Sequence, residues 1–248
     1  MALVICQVGQ HQGTVTPTKP KRNLVDNSGY VNTGLYIFTP AVFSLLEKIP
    51  KSSRGEYEIT DVVKLLALGK VMKYHLVEGY WMPVGYPWQI LDANKLLLSK
   101  RSSMIEGFLE RGVQIQGNVS INRGSTIMRD SIISGNIIIG KNVIIGKGVT
   151  LSGHVSIGDN CVIGDHSTIE NSVIGKQTQI GQACILHESV LGNNVTMGSG
   201  LLTQSYSEKG TIVVRGERSF DSKKKQLGAF VADNSTVSKT LMPGEVLL

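Results

Sequence analysis

The sequence predicts a two-part fold, with an α/β segment over residues 1–100 followed by a parallel β-helix over residues 101–248. In the first part, strand-like and helix-like patterns alternate. In the second part, a large aliphatic residue recurs at every sixth position. A period of six matches neither the 3.6 residues of an α-helix nor the 2 of a strand. It favours a chain that makes a short strand, turns and repeats.

The regular part of the repeat spans residues 113–201 and leaves a divergent tail over 202–248. Its inward positions are Ile115, Ile121, Ile127, Ile133, Ile139, Ile145, Leu151, Ile157, Ile163, Ile169, Ile174, Ile180, Leu186, Leu191 and Met197. The step shortens by one residue before Ile174 and before Leu191. A small or β-branched residue follows most inward positions by four places, and glycine directly follows many of them, which suits tight corners. One segment cannot bury anything alone, so neighbouring segments must supply the core. A sandwich of short strands would show irregular turn signals about 8–12 residues apart.

The first part reads as alternating strands and helices. We predict strands over residues 3–8, 35–38 and 74–77. A short helix is expected over residues 40–48, a second from Asp61 to Gly69 with Thr60 as its cap, and a third from Pro87.

Composition excludes several classes of partner. The net charge is +6, and the aromatic content is only 6 % against 41 % hydrophobic residues. Basic residues cluster near Lys19 and at residues 223–225. They suit solvated loops or, alternatively, attraction of a phosphorylated ligand. No aromatic residues interleave with these charges, so we expect no nucleic-acid binding.

Cysteine usage and the N-terminus indicate the cytoplasm. The three cysteines form no close pairs, and Cys161 and Cys184 fall at small inward positions of the repeat. This argues against a disulfide framework and for a reducing compartment. The apolar start is too short to span a membrane and lacks a cleavage pattern, so we expect no membrane association.

The repeat resembles a known family. The segments I-G-K-N-V-I-I-G-K-G-V-T and I-G-D-N-C-V-I-G-D-H-S-T are similar to the hexapeptide repeats of left-handed β-helix acyltransferases. The left-handed sense is implied by this resemblance alone, and three hexapeptides per coil would give about five coils. The resemblance also implies a homotrimer.

The first part carries a second resemblance. The segments N-S-G-Y-V-N-T-G-L-Y-I-F-T-P, R-G-E-Y-E-I-T-D-V-V and G-Y-W-M-P-V-G-Y-P-W-Q-I-L-D-A-N resemble the last part of a sugar-1-phosphate nucleotidyltransferase domain of the glucose-1-phosphate thymidylyl- or uridylyltransferase type. The two resemblances occur in the order expected for proteins that join such a domain to a β-helix acyltransferase, and they cover nearly the whole chain.

Departures from the family pattern concern the chemistry. The family's glycine-rich nucleotide-binding loop, which holds phosphates through backbone N–H groups, has no counterpart here. A magnesium-binding aspartate usually stands in a W-x-D-x-G pattern, and this chain has Pro83 in its place. Since Mg²⁺ requires hard oxygen ligands, we expect a chain that lacks the nucleotide-binding half and does not complete nucleotidyl transfer alone.

Three substrate-contacting positions remain from the resemblance. Lys19 matches the lysine of the family's E-K-P sugar contact, whose glutamate is Thr18 here. Asn32, followed by Thr33 and Gly34, matches a sugar-contacting asparagine. Lys19 is also readable as an exposed loop charge, and Asn32 as a turn residue that satisfies its own backbone. Glu56, Glu58 and Asp61 lie close in sequence, but Asp61 suits a first helical turn, so we predict no metal site.

The β-helix has its own candidate base. Acetyl transfer to an amine needs a base near neutral pKa, usually histidine. His154 and His166 fall at turn positions where polar side chains face outward, and His187 stands where the repeat usually has glycine. Each is readable as a surface residue, and His187 is the candidate we retain.

Matching E-S-V-L-G-N-N-V-T-M-G-S-G to the family places the family's catalytic histidine at Gln182 and its tyrosine at Ile185. The family's asparagine falls at Ser205, and Gln226 stands where a lysine precedes L-G-A. The family's own acyl-transfer residues are therefore substituted.

These observations predict a transferase-family protein of nucleotide-sugar biosynthesis whose key catalytic residues are missing or substituted. Its partners would be a sugar phosphate or a nucleotide sugar. Alternatives are a β-helix acetyltransferase acting on an amino-sugar phosphate, and a non-catalytic scaffold or regulatory subunit of a full-length relative. The resemblance implies Mg²⁺ and acetyl-CoA as cofactors.

Overall fold

A computed structural model describes residues 2–9, 29–69, 72–77, 80–208, 212–215 and 218–248. The contacts divide the chain into two compact units, Met1–Pro83 and Val84–Leu248. The helix that begins after Pro87 groups with the second unit, because it packs on the β-helix. The domain boundary at residue 100, drawn from the family resemblance, stays a prediction.

The first unit is a small α/β segment. Its elements are β1 (Ala2–Gly9), β2 (Gly29–Phe38), α1 (Val42–Leu46), α2 (Ile59–Leu68) and β3 (Met72–Leu76). The strands form a sheet in the order β2-β1-β3, in which β1 is antiparallel to β2 and parallel to β3. The predicted alternation of strands and helices is confirmed here.

The core of this unit lies where α2 meets the sheet. Val62 and Leu66 are buried on one face of α2, together with Ile49, and they pack against Phe38. Spacing of four places Val62 and Leu66 on the same side of a helix. The prediction that Thr60 caps this helix is wrong. The cap position is Glu58, whose side chain bonds no backbone N–H and instead accepts hydrogen bonds from the Arg54 guanidinium.

The second unit begins with one helix and continues as a β-helix. Its elements are α3 (Gln89–Leu98), β4 (Met104–Ile105), β5 (Phe108–Leu109), β6 (Gln114–Ile121), β7 (Thr126–Ile127), β8 (Ile132–Ile139), β9 (Ile144–Ile145), β10 (Thr150–Ile157), β11 (Val162–Ile163), β12 (Thr168–Glu170), β13 (Val173–Ile174), β14 (Gln179–Ile180), β15 (Ile185–His187), β16 (Val190–Leu191), β17 (Thr196–Met197), β18 (Ile212–Arg215), β19 (Arg218–Asp221), β20 (Phe230–Val231), β21 (Thr236–Val237) and β22 (Val246–Leu247).

Successive coils stack as parallel strands in register. One path runs β22-β20-β16-β13-β10-β8-β6-β4 and a second runs β21-β17-β14-β11-β9-β7-β5, so the solenoid has about eight coils. Ile115 pairs with Ile133, and Ile133 with Leu151. The predicted inward positions from Ile121 to Met197 are buried, and Ile115 is partly buried against the same core. The parallel β-helix predicted from the repeat is confirmed, and it extends beyond residues 113–201 at both ends.

Buried hydroxyl groups hold neighbouring coils together at several corners. Ser125 donates to the carbonyl of Gly140 at 2.7 Å, and Ser131 donates to that of Gly146 at 2.9 Å. Each hydroxyl also accepts a hydrogen bond from a backbone N–H of the next coil. These small polar residues are therefore compatible with full burial, because their hydrogen-bonding groups are satisfied.

One corner of the solenoid depends on glycine. Gly117, Gly135 and Gly153 stack in successive coils with φ values of 95°, 120° and 73°. A Cβ atom on Gly135 would lie 2.3 Å from the carbonyl oxygen of Gly153, which is backbone and has no room to move aside. In these three coils the corner therefore requires residues without a side chain. In the following coils, Asn171 and Glu188 take positive φ values of 46° and 47°.

A second hydrophobic cluster covers part of the β-helix from outside. Trp88 and Leu91 from α3 pack with Val213, Leu227 and Phe230 from the tail. The hairpin of β18 and β19 lies in this tail, and Phe220 of β19 contacts the ring of Tyr86, which stacks on Trp88. The divergent tail is thus an insertion that packs against α3 before the last coils resume.

Cys161 and Cys184 are free, buried thiols. Burial raises the pKa of both thiols above the ordinary value, and each lies within hydrogen-bonding distance of a glycine carbonyl oxygen. They act as small core residues. Within the described ranges, every helix is too short or too polar to cross a membrane.

Candidate functional site

In the first unit, the structure brings two of the family motifs together. The indole N–H of Trp81 donates to the backbone carbonyl of Thr33 at 3.1 Å, although the two residues are far apart in sequence. The W-M-P segment therefore lies beside the N-T-G segment, where the pairing of strand β2 with β1 is irregular. The end of this segment, Pro83, is exposed.

The side chain of Asn32 holds this irregular part of β2. Its Oδ1 accepts the N–H of Gly34 at 2.9 Å, and its Nδ2 donates to the hydroxyl of Tyr36 at 2.7 Å. Gly34 has φ of 77° and is exposed, with open space around it. An amide has two acceptor lone pairs and two N–H donors, so Asn32 retains one of each for a ligand when its contacts with the described residues are counted.

The remaining residues do not fit Mg²⁺. Pro83 offers no side-chain oxygen, and the described residues contain no group of three or more histidines, cysteines or carboxylates that could hold a metal. Glu58 pairs with Arg54 at 2.6 Å, and Asp61 pairs with Lys64 at 2.6 Å. The hydrogen bond from Arg54 lowers the pKa of Glu58. Lys19 lies outside the described residues.

The histidines of the β-helix occupy different surroundings. His166 is exposed at a corner with φ of 59°, as expected for a turn residue. His154 lies instead within strand β10, half-buried, and its Nε2 is 3.3 Å from Nδ2 of Asn136 in the coil below. The expected outward turn position is wrong for His154, because the strand continues through the glycine corner at Gly153.

His187 is paired with a carboxylate. Its Nδ1 lies 3.0 Å from Oε2 of Glu170, and both side chains are partly exposed. The two residues are register partners in neighbouring strands, β15 and β12, so the coil spacing itself sets their contact. The backbone N–H of His187 donates to Oγ1 of Thr203 at 3.1 Å, which fixes the strand position.

A shallow depression of about 360 Å³ lies beside this pair. It is lined by Ile185, His187 and residues 202–206. Ile185 and Ser205, which align with the family's tyrosine and asparagine, therefore meet at one place. Gln226 lies close by, since it forms a bridge with Tyr206. Gln182, which aligns with the family's histidine, does not line the depression.

A charged network lies at the corner next to His187. Glu188 accepts a hydrogen bond from Nδ2 of Asn171 at 2.8 Å, and Lys224 from the tail pairs with Asp92 of α3 at 2.6 Å. Burial raises the pKa of Glu188, while the Asn171 hydrogen bond and the charge of Lys224 lower it. This network ties the tail and α3 to the corner that follows His187.

Sequence analysis missed Glu170. Glu170 lies one coil before His187, in a coil that the repeat has shortened by a residue, and the strand register that brings the two together comes from the structure. No local motif marks it. The structure therefore adds Glu170 to His187.

The fold and the two sites define a class: an α/β nucleotidyltransferase-type segment joined to a β-helix. Residues 11–100 match the family described as Nucleotidyl transferase, and residues 115–207 match the GMPPB C-terminal domain. The chain thus combines a partial nucleotidyl transferase segment with a GMPPB-like C-terminal β-helix, as the resemblance predicted.

Individual relatives are consistent with this class. The chain is 38 % identical over 232 residues to the Bifunctional protein GlmU of Methanocaldococcus jannaschii, covering 92 % of this chain and 55 % of that protein. It is 34 % identical over 223 residues to the Bifunctional sugar-1-phosphate nucleotidylyltransferase/acetyltransferase of Sulfurisphaera tokodaii, covering 88 % of this chain and 55 % of that protein. The chain thus spans about half the length of these relatives.

Among solved structures, the acetyltransferase domain of PglB from Neisseria gonorrhoeae FA1090 in complex with acetyl coenzyme A aligns with a TM-score of 0.30. The alignment has 12 % identity and covers 56 % of this chain and 86 % of that chain. A TM-score this low carries no argument about the site.

Proposed function

We propose that this chain binds a sugar phosphate or nucleotide sugar in nucleotide-sugar biosynthesis and does not complete nucleotidyl transfer by itself. The observation that carries the proposal is the contact between Trp81 and Thr33, because it brings residues 32–34 of β2 beside the segment that ends at Pro83. The residues that the resemblance assigns to sugar contact are present, whereas the position of the family's metal-binding carboxylate holds Pro83, a side chain without oxygen.

Phosphoryl chemistry explains why this substitution matters. Transfer of a nucleotidyl group is catalysed by positioning and by neutralising charge on the phosphates, which Mg²⁺ supplies when it is bound. Asn32 has a remaining donor and acceptor for a sugar hydroxyl, and Lys19 would add charge for the phosphate. The chain's own residues therefore support binding more than transfer.

Pyrophosphate release is the direct test of this proposal. Purified protein with Mg²⁺, a nucleoside triphosphate and glucose-1-phosphate should release no pyrophosphate above background, with the Sulfurisphaera tokodaii relative, which is named as a sugar-1-phosphate nucleotidylyltransferase, as positive control. Glucose-1-phosphate should still bind in calorimetry. Asn32→Ala should weaken this binding about 10-fold, the size of one lost hydrogen bond. Ser44→Ala, a surface change on α1, should not. Pyrophosphate release by the chain alone would overturn the proposal.

A second candidate function is acetyl transfer to an amino-sugar phosphate in the β-helix. The observation that favours it is the His187–Glu170 contact beside the depression at residues 202–206. Histidine is the usual base for accepting a proton from an amine near neutral pH. Acetyl-CoA would supply the acetyl group, and thiol release in the presence of an amino-sugar phosphate would test it.

Localisation stays a prediction. The buried, free thiols of Cys161 and Cys184 suit the reducing cytoplasm that the sequence predicts.

A further inference from the structure

We infer that Glu170 orients His187 as the base of a proton-transfer site that lies one corner away from the family's histidine position, at Gln182. This inference rests on the proposed acetyl transfer and adds a positioning residue that sequence analysis did not identify. The contact that carries it joins Nδ1 of His187 to Oε2 of Glu170 at 3.0 Å.

The contact determines which ring nitrogen carries the proton. An ionised carboxylate only accepts hydrogen bonds, so Nδ1 of a neutral His187 must be the donor. Nε2 then holds the lone pair. In the described part of the chain Nε2 has no hydrogen-bond partner, and His187 lines the depression. The ring therefore presents a proton acceptor toward the depression.

The backbone makes this arrangement rigid. Glu170 and His187 are register partners in parallel strands β12 and β15, and strands at this spacing place paired side chains on the same face. Thr203 in the next coil accepts the His187 N–H at 3.1 Å and also accepts the Ser189 hydroxyl at 2.9 Å. The backbone of His187 is therefore held by strand β12 on one side and by Thr203 of the next coil on the other.

The proposed step is acetyl transfer from acetyl-CoA to an amine. The amine nitrogen of an amino-sugar phosphate attacks the carbonyl carbon of acetyl-CoA, and Nε2 of His187 takes the amine proton. The new C–N bond forms, the C–S bond breaks, and the leaving thiolate takes the proton from the imidazolium. Glu170 stabilises the imidazolium and does not itself change protonation.

Two measurements test the inference. Acetyl-CoA and glucosamine-1-phosphate are the substrates, and free thiol is followed. His187→Ala should abolish release. Glu170→Gln should lower kcat about 10- to 100-fold with KM nearly unchanged, as for loss of a group that orients a functional histidine. Glu188→Gln is the matched control, because Glu188 is the neighbouring carboxylate and bonds Asn171 instead. It should leave kcat unchanged.

The second measurement does not depend on activity. In ¹⁵N-histidine-labelled protein, the His187 signal is assigned by its loss in His187→Ala. The ring nitrogen shifts should show the proton on Nδ1, and this preference should disappear in Glu170→Gln and remain in Glu188→Gln. A proton on Nε2 in the native protein, or no change in Glu170→Gln, overturns the inference. If the native protein releases no thiol while the tautomer responds to Glu170→Gln, the acetyl-transfer proposal fails and the positioning contact stands.

Discussion

Ile144 and Ile145 are neighbours in strand β9 with opposite surroundings. Ile145 is fully buried in the column of aliphatic side chains inside the coil, whereas Ile144 points outward and is 41 % exposed. Successive strand residues face opposite sides, so a difference of one position decides between core and surface. The inward positions could be predicted because this alternation is local.

This pair provides the first prediction. Ile145→Ala should lower the free energy of unfolding by about 2–5 kcal/mol, because it removes buried methyl groups and leaves a cavity in a stack that cannot collapse. Ile144→Ala should cost no more than about 1 kcal/mol, since it changes mainly strand propensity. Urea denaturation of both variants measures the difference, and equal losses would contradict the inward and outward assignment.

The second prediction concerns pH and Glu188. Burial raises the pKa of Glu188 above the ordinary value of 4.5. At a pH between the unfolded and the folded pKa, the folded chain therefore holds a proton that the unfolded chain has already released. The stability from this group is complete below about pH 4.5 and is lost as pH rises through the folded pKa. Lys224 favours the charged form, whereas Glu170 and Asp92 oppose it.

Glu188→Gln keeps an acceptor for Asn171 but cannot ionise. At pH 7 it should therefore be more stable than the native protein, and at pH 4 the difference should nearly vanish. Urea midpoints at the two pH values test this. A variant equally stabilised at both would show that burial of the charge is not the cause.

At the scale of elements, α3 and the tail insertion stabilise each other. Leu91 is buried against Val213 and Leu227, while Leu97 on the same helix is 66 % exposed. The sequence predicted the helix that begins at Pro87 and carries Leu91. The sequence did not indicate which residues pack against Leu91. The tail lacks the six-residue period, and its position depends on where the chain comes back to the β-helix.

The third prediction follows from this packing. Leu91→Ala should cost about 2–5 kcal/mol where α3 meets the insertion, as expected for a buried leucine. The amides of residues 212–215 should then exchange hydrogen faster. Leu97→Ala should change the free energy of unfolding by no more than about 0.5 kcal/mol. It should leave the exchange of these amides nearly unchanged. Unchanged exchange in Leu91→Ala would mean that the hairpin does not depend on α3.

At the scale of the whole molecule, the fourth prediction is a homotrimer. An outward column of register partners includes Phe108, Ile144 and Val162, all of which are exposed large hydrophobic residues in one chain. Apolar columns on a solenoid face suit contact with copies of the same chain. Light scattering at micromolar concentration should give three times the 26.8 kDa of one chain. A monomer mass would contradict the prediction.

The family resemblance and the solenoid could both be predicted from residue patterns. The six-residue period and the ordered motifs are local properties, so they remain visible without coordinates. The contacts between distant segments could not be predicted. These are the contact of Trp81 with Thr33 and that of His187 with Glu170. No short-range pattern encodes these pairs.

The sequence by itself determined the coil, its aliphatic column and the substitution at Pro83, because each depends on residue type at a fixed spacing. Only the tertiary structure decided which side chains of neighbouring coils meet. Coil stacking converts a separation of one turn into a side-chain contact, and the turn length changes where the repeat shortens by a residue. That shortened turn places the Glu170 carboxylate against the His187 ring.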